Sequence, residues 1–353
     1  MPFHAAEQRS KKLMTKNQNQ TTALALYSGG LDSTLACRVV AKQGIKVVAV
    51  KFVTPFFGYE LLKIQDEYIR KIKETSGIDV ILKDVTVPYL ELLKKPAHGF
   101  GKNFNPCIDC KIFLLSEAKK MMPEIGASFL ITGEVVGQRP MSQRRDALRV
   151  IERDSGCESI LVRPLCAKNL SPTQAELDGL IDRDQLLAFN GRNRTPQIKL
   201  AEQFGITDYP SPAGGCILAD PILSVRIQEY YQQNKNIVPE DILLLLMGRQ
   251  FNLPTGGWLV VGRNELENEK IEGLLQPDDW LLETKDIPGP TAILRYSSKQ
   301  EELETAASIV VRYSKKSAVG HGSAVIIADQ NGVKHEIDAR PLDDAIFQPW
   351  QKK

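Results

Sequence analysis

The chain has 353 residues, 42% hydrophobic and 25% charged, with 25 Gly, 20 Pro and 6 Cys. These ordinary globular values exclude collagen-like, disulfide-knot and wholly disordered chains, and the length predicts two or three domains, each able to bury a core. A formal net charge of +2 draws the whole chain to neither polyanion nor membrane. The charge is unevenly spread, however: residues 1–235 hold 32 Lys and Arg against 25 Asp and Glu, and residues 236–353 hold 13 against 18. A polyanion is therefore expected to meet the first two-thirds of the chain.

In chain order, residues 1–22 are polar and basic and read as a flexible tail without the apolar core of a secretory signal. No run approaches the ~18 apolar residues of a membrane span. Six Cys without a leader predict a reducing, cytoplasmic setting, where spaced thiols serve metals or sulfur chemistry more often than bridges.

From Ala23 an apolar run ends in a glycine turn and passes into an amphipathic helix, with Gly44 as its stop. Ile45–Phe52 reads as a buried strand, 60–76 as a helix, Asp79–Val87 as a strand and Ile112–Met122 as a helix, and Ala127–Glu134 repeats the strand-into-glycine pattern. This alternation predicts a doubly wound α/β domain with a parallel sheet over residues 23–165, whose ligands sit at the carboxyl ends of the strands. Proline-rich segments break the rhythm, and residues 166–240 are expected to form a small helical connector. Residues 241–353 carry further strands, a helix near Glu301–Tyr313 and a hairpin around Asn331-Gly332, which predicts a C-terminal α+β domain.

Ser28-Gly29-Gly30-Leu31-Asp32-Ser33 lies at the first strand-to-helix turn. Two glycines let backbone N–H groups approach an anion, Ser28 and Ser33 offer hydroxyls, and the helix points its positive end at the same spot. Asp32 would repel bare phosphate, so its expected work is to hold Mg²⁺ or to orient a donor. The turn lacks the Gly-Lys-Ser/Thr ending of a Walker loop. It resembles instead the pyrophosphate loop (PP-loop) of the ATP pyrophosphatase superfamily. The resemblance implies that Ser28, Gly29, Gly30, Asp32, Ser33 and the adjoining Thr34 hold ATP, that the strand end at Lys51–Val53 lines the adenine, and that Gly133 and Glu134 form a second nucleotide contact.

Cys107 and Cys110 stand three residues apart just before a helix, a placement expected to lower thiol pKa, and Cys216 follows another glycine turn, Ala213-Gly214-Gly215. A Cys-x-x-Cys pair by itself can be half of a zinc site, a redox pair or chance. Zinc wants four ligands, and the four His have no ligand spacing to the pair. Three thiols with an open fourth position suit an iron–sulfur cluster or a persulfide donor with a resolving thiol. Cys37 reads as core, and Cys157 and Cys166 carry no motif.

Together the loop, the paired thiols and the later cysteine resemble the tRNA thiolation enzymes of that superfamily, the ThiI-like and 2-thiouridylase-like groups, over residues 23–235. The resemblance implies an ATP-dependent tRNA sulfurtransferase that adenylates a uridine carbonyl oxygen and replaces it with sulfur. Its implied catalytic residues are Asp32, Cys107, Cys110 and Cys216, the three thiols holding a [4Fe-4S] cluster, with hydrosulfide or a persulfide carrier as sulfur donor. A persulfide relay without a cluster, an amide- or nitrile-forming ligase, and an RNA-binding redox sensor are the alternatives. No membrane partner is expected, and a homodimer is allowed. The long N-terminal RNA-binding extension and the rhodanese-type tail of ThiI are not found in these residues, so RNA contact is expected elsewhere. Arg139, Arg144 and Arg145 follow the Gly133 turn and are the expected phosphate contacts, with Arg192, Arg194 and Lys199 weaker ones. Residues 250–345 resemble the RNA-binding module of the NFACT proteins, although their acidic balance opposes phosphate.

Overall fold

The first apolar run becomes strand β1 (Thr22–Leu26), and its alternation explains the layers around it. Ala23 and Ala25 face one core while Leu24 faces the other, so both sides of the strand are covered. Helix α1 (Leu31–Ala41) follows, then β2 (Lys46–Val53), α2 (Gln65–Ser76), β3 (Asp79–Asp84) and α3 (Thr86–Lys94). After them come α4 (Cys107–Ile125), β4 (Phe129–Thr132), α5 (Arg145–Ser155) and the short β5 (Leu161–Val162). This is a computed structural model, and it describes residues 21–211, 215–297, 299–315 and 322–352. Most of the expected N-terminal tail, residues 1–20, and the turn residues 212–214 lie outside the described residues.

The five strands form a parallel sheet in the order β3-β2-β1-β4-β5. The order reverses direction between β1 and β4, the position at which sheets of this kind bind ligands at their strand ends. That reversal brings Tyr27–Gly30 beside Thr132–Glu134, two segments a hundred residues apart in sequence.

The chain divides between Cys216 and Ile217. Residues 166–216, expected in a separate connector, join the α/β unit instead: Cys166, Ala175, Ile181, Leu186 and Ala201 bury into the core shared with Ala23 and Ile131. Residues 217–240 fall in the second unit. They include α8 (Leu223–Gln233), after the short α6 (Gln174–Leu177) and α7 (Thr195–Gln203) of the first unit.

The second unit is an antiparallel seven-stranded sheet, β11-β10-β8-β9-β7-β6-β12. Its strands are β6 (Arg249–Asn252), β7 (Trp258–Val261), β8 (Trp280–Thr284), β9 (Ala292–Arg295), β10 (Ala324–Gln330), β11 (Val333–Ala339) and β12 (Gln351–Lys352). The helix Gln300–Tyr313 lays Leu303, Ala306, Ala307 and Val310 against Leu259, Leu282, Leu294 and Ile326. Among the described residues no helix is long and apolar enough to cross a membrane.

Candidate active site at the strand ends

Leaving β1, the chain turns through Gly29 at φ +84°, a conformation that favours glycine, and enters α1 with no side-chain cap on its first turn. The loop is braced from within. Ser28 Oγ lies 3.1 Å from Ser33 Oγ and accepts from Gly30 N at 3.3 Å, while Ser33 Oγ donates to Gly30 O at 2.8 Å. Thr34 Oγ1 donates to the same carbonyl and meets the Tyr27 hydroxyl at 3.2 Å. The hydroxyls thus shape the turn, leaving its first-turn N–H groups as the anion-facing element.

Gly133 closes the other wall. A Cβ at Gly133 would lie 2.5 Å from the Asp32 carbonyl and from Ser33 N, so only glycine lets β4's end touch the helix start. Lys51, at the end of β2, donates from Nζ to Ser28 O at 2.6 Å and lies over the Tyr68 ring; burial pulls its pKa down to about 8.

Asp32 Oδ2 accepts from Gln138 Nε2 at 2.8 Å, with Arg194 Nη2 3.7 Å away, and Gln138 is in turn held by the buried Gln197 at 3.1 Å. Asp32 Oδ1 is buried with no hydrogen-bond partner. Such an orphan oxygen is the donor a Mg²⁺ ion needs. Glu134 is 4% exposed and turned inward, accepting from Arg163 Nε at 3.0 Å and pairing with Lys111 at 3.4 Å; these cations hold its carboxyl low despite burial. Its placement makes it an internal brace that ties the end of β4 to the start of α4 through Lys111.

The cysteines sit at that start. Cys107 Sγ donates to Asn105 Oδ1 at 3.2 Å, and Lys111 and Arg139 favour its thiolate. Burial outweighs both, so the Cys107 thiol is raised, and Cys110 is pushed up to about 11. The expected lowering by the helix terminus is therefore overturned, because removing a thiolate from water costs more than the dipole returns. Cys107, Cys110 and Cys216 all act electrostatically on the buried Tyr89, whose hydroxyl hydrogen-bonds Cys110. All three thiols are thus felt by one side chain, and none of them is in a disulfide. Among the described residues no three Cys, His, Asp or Glu side chains already stand at metal-ligating separation. Three cysteine thiols are a soft donor set of the kind an iron–sulfur cluster takes.

Arg139 is exposed and follows Gln138, so one segment reaches both Asp32 and Cys107. Arg144 is committed to Asp146 through two bonds, and Arg145 stands apart on the α5 face lining a cavity with Arg149 and Arg163. Cys37 is buried in the core as expected, and Cys157 and Cys166 are fully buried too. Tyr89, Gln197, Arg163 and the Asp109 carboxylate, which binds the backbone N–H groups of Ala97 and His98, carry no sequence signal. Only a pattern of buried polar residues in the fold reveals them.

Residues 18–170 match the family model described as thiamine biosynthesis protein (ThiI), and residues 248–351 match that of the NFACT protein RNA binding domain. A probable tRNA sulfurtransferase of Thermococcus kodakarensis is 28% identical over 151 residues, 41% of this chain and 37% of that one. A tRNA sulfurtransferase of Desulfurococcus amylolyticus is 27% identical over 206 residues, 58% of this chain and again 37% of the relative. The chain thus spans little more than a third of the length of these relatives. Among solved structures, a 4-thiouridine synthetase in complex with RNA and bound ATP is 25% identical, with a TM-score of 0.34 over 52% of this chain and 50% of that one. By these matches residues 18–170 are similar to the ThiI family and residues 248–351 to the NFACT RNA-binding domain.

Proposed function

We propose that the protein is an ATP-dependent tRNA sulfurtransferase that makes a thiouridine. The observation that carries this reading is one network joining an anion loop to a group of thiols. Gly133 abuts Asp32, Glu134 holds Lys111 next to Cys110, and Gln138 and Arg139 run from Asp32 to Cys107. The similarity of the N-terminal domain to proteins named tRNA sulfurtransferase supports it.

In this reading the loop N–H groups and Lys51 bind the ATP phosphates, and Asp32, through its unpartnered Oδ1, holds Mg²⁺. The uridine carbonyl oxygen attacks the α-phosphorus and pyrophosphate leaves, its charge stabilised by those donors. Sulfur then adds at the carbonyl carbon and AMP departs with the original oxygen. Cys107, Cys110 and Cys216 would hold a [4Fe-4S] cluster, which when bound supplies a free iron site for hydrosulfide. Lys111 and Arg139 favour the thiolate forms, and Tyr89 donates its hydroxyl proton toward Cys110. Arg139, exposed and acting on Cys107, is the basic group offered to an RNA phosphate at the thiols, with Arg144 and Arg145 farther along the same segment.

The test is anaerobic incubation with ATP, Mg²⁺, sulfide and total tRNA, followed by nucleoside analysis. A new thiolated uridine, lost in Cys107→Ala, Cys110→Ala and Cys216→Ala while ATP binding persists, is expected. No thiolated nucleoside would refute the reading. Thiolation by iron-free protein with a persulfide donor would replace the cluster with a relay.

A further inference from the structure

The loop from Lys95 to Pro106, directly before the thiols, holds an aromatic pair that the chemistry above leaves unused. Phe100 and Phe104 stack with ring centroids 4.4 Å apart and planes 20° from parallel. Phe104 is 5% exposed, whereas Phe100 is 40% exposed. Single exposed apolar side chains are common on protein surfaces. Phe100 differs because its ring is fixed: a buried ring backs it, and the loop beneath is tied down. Gly101 N donates to Asn105 O at 2.8 Å, and Ala97 N and His98 N both donate to the Asp109 carboxylate at 3.0 Å. Asn105, at the end of the same loop, accepts from Cys107.

The surroundings suit a nucleic acid. Met141, 41% exposed, leans on Gly101, where a Cβ would lie 2.4 Å from its methyl group. Met141 belongs to the segment whose Gln138 holds Asp32, so the ring stands where the thiol loop meets the phosphate-loop segment. Lys95, Lys102 and Arg139 are exposed on these segments. A rigid aromatic face with cations on the adjoining segments is one way proteins bind unpaired nucleotides: the ring stacks on a base while cations meet the backbone.

We infer that Phe100 is the stacking platform for one unpaired base of the RNA substrate, placing that nucleotide beside Cys107. This deepens the sulfurtransferase reading and rests on it. Phe100 is a positioning residue: it touches no reacting atom and reads a π-face, not a base edge, so it tolerates different bases.

The experiment measures thiolation kinetics with total tRNA for the full chain and for Phe100→Ala, Phe100→Leu and Phe100→Tyr, alongside ATP binding and thermal midpoint. Loss of one base–aromatic stack predicts a KM for tRNA raised about 10-fold in Phe100→Ala. ATP affinity and thermal midpoint should stay unchanged. Phe100→Tyr should restore the wild-type KM, and Phe100→Leu, apolar but without a π-face, should not. Unchanged kinetics in Phe100→Ala, or equal rescue by leucine and tyrosine, overturns the platform while leaving the sulfurtransferase intact. No thiolation by the wild-type chain overturns both.

Discussion

The two units treat buried charge in opposite ways. In the C-terminal unit Arg295, 1% exposed, binds Asp279 through Nε and Nη2 and Asp241 through Nη1 at 2.5 Å, and the Tyr230 and Tyr296 hydroxyls complete Asp241. That network closes on itself. In the α/β unit, Asp32 Oδ1, Arg163 Nη2, Arg194 Nε and Gln197 Oε1 are buried and unpartnered. In the C-terminal unit only Asn268 Oδ1 shares that condition among the described residues. A closed network contributes to one native packing, whereas buried valences left open at strand ends cost stability unless a ligand fills them. The difference agrees with the proposed ligand site of the first unit.

The sharpest way to break this contrast is Arg295→Met. It strands two buried carboxylates and should cost about 3–5 kcal/mol, read as a lower midpoint in denaturant, with ATP binding by the first unit unchanged. If ATP binding fell in parallel, the division of labour between the units would be wrong. Gly133→Ala tests the open side. Its methyl group would lie 2.5 Å from the α1 backbone, and the displaced loop should cut the rate of pyrophosphate release about 100-fold. A near-normal rate would show that the close approach of Gly133 to Asp32 does not shape the site.

Lys51 gives a smaller, pH-dependent effect. In the proposed reading its charged form binds phosphate, so ATP affinity should fall by roughly 10-fold as pH rises through about 8. Lys51→Met should be weaker and flat over that range, and an unchanged profile would remove Lys51 from the phosphate site. Folding itself runs the other way: because this lysine's pKa is depressed from 10.5 to about 8 in the folded chain, its contribution to stability rises with pH between those values. The smallest effect belongs to Arg144→Ala. Its exposed pair with Asp146 is worth under about 0.5 kcal/mol, so stability should barely move, and tRNA affinity should fall less than in Arg139→Ala. Equal losses in the two variants would mean that RNA displaces Asp146 freely.

The legible parts of the site are those written locally. A strand, two glycines and a helix start occupy consecutive positions at Ala23–Ala41, and Cys107 and Cys110 share one helical turn, so their placement is readable without a fold. Gln138 is different: it meets Asp32 across 106 residues of sequence, and Gln197 supports it from α7. Neither has a motif, because a glutamine becomes a positioning group only through what it is packed against. The connector was illegible for a related reason. Its prolines signal interruption, yet its apolar residues fill the face of a sheet laid down 150 residues earlier, and that partnership is invisible to a local window.

The sequence alone therefore determined the parallel α/β layer, the strand–glycine–helix turn at Ser28–Ser33, the paired thiols and a separate C-terminal α+β domain, since each follows from periodicity or adjacent residues. The tertiary structure decided the rest. It joined residues 166–216 to the first unit, turned Glu134 inward, set Tyr89 within electrostatic reach of the paired thiols and of the distant Cys216, and raised Cys107 and Cys110 where their position on a helix predicts lowering. The physical reason is common to all of these. Burial, desolvation and long-range pairing depend on which surfaces meet, and that is set by the whole fold.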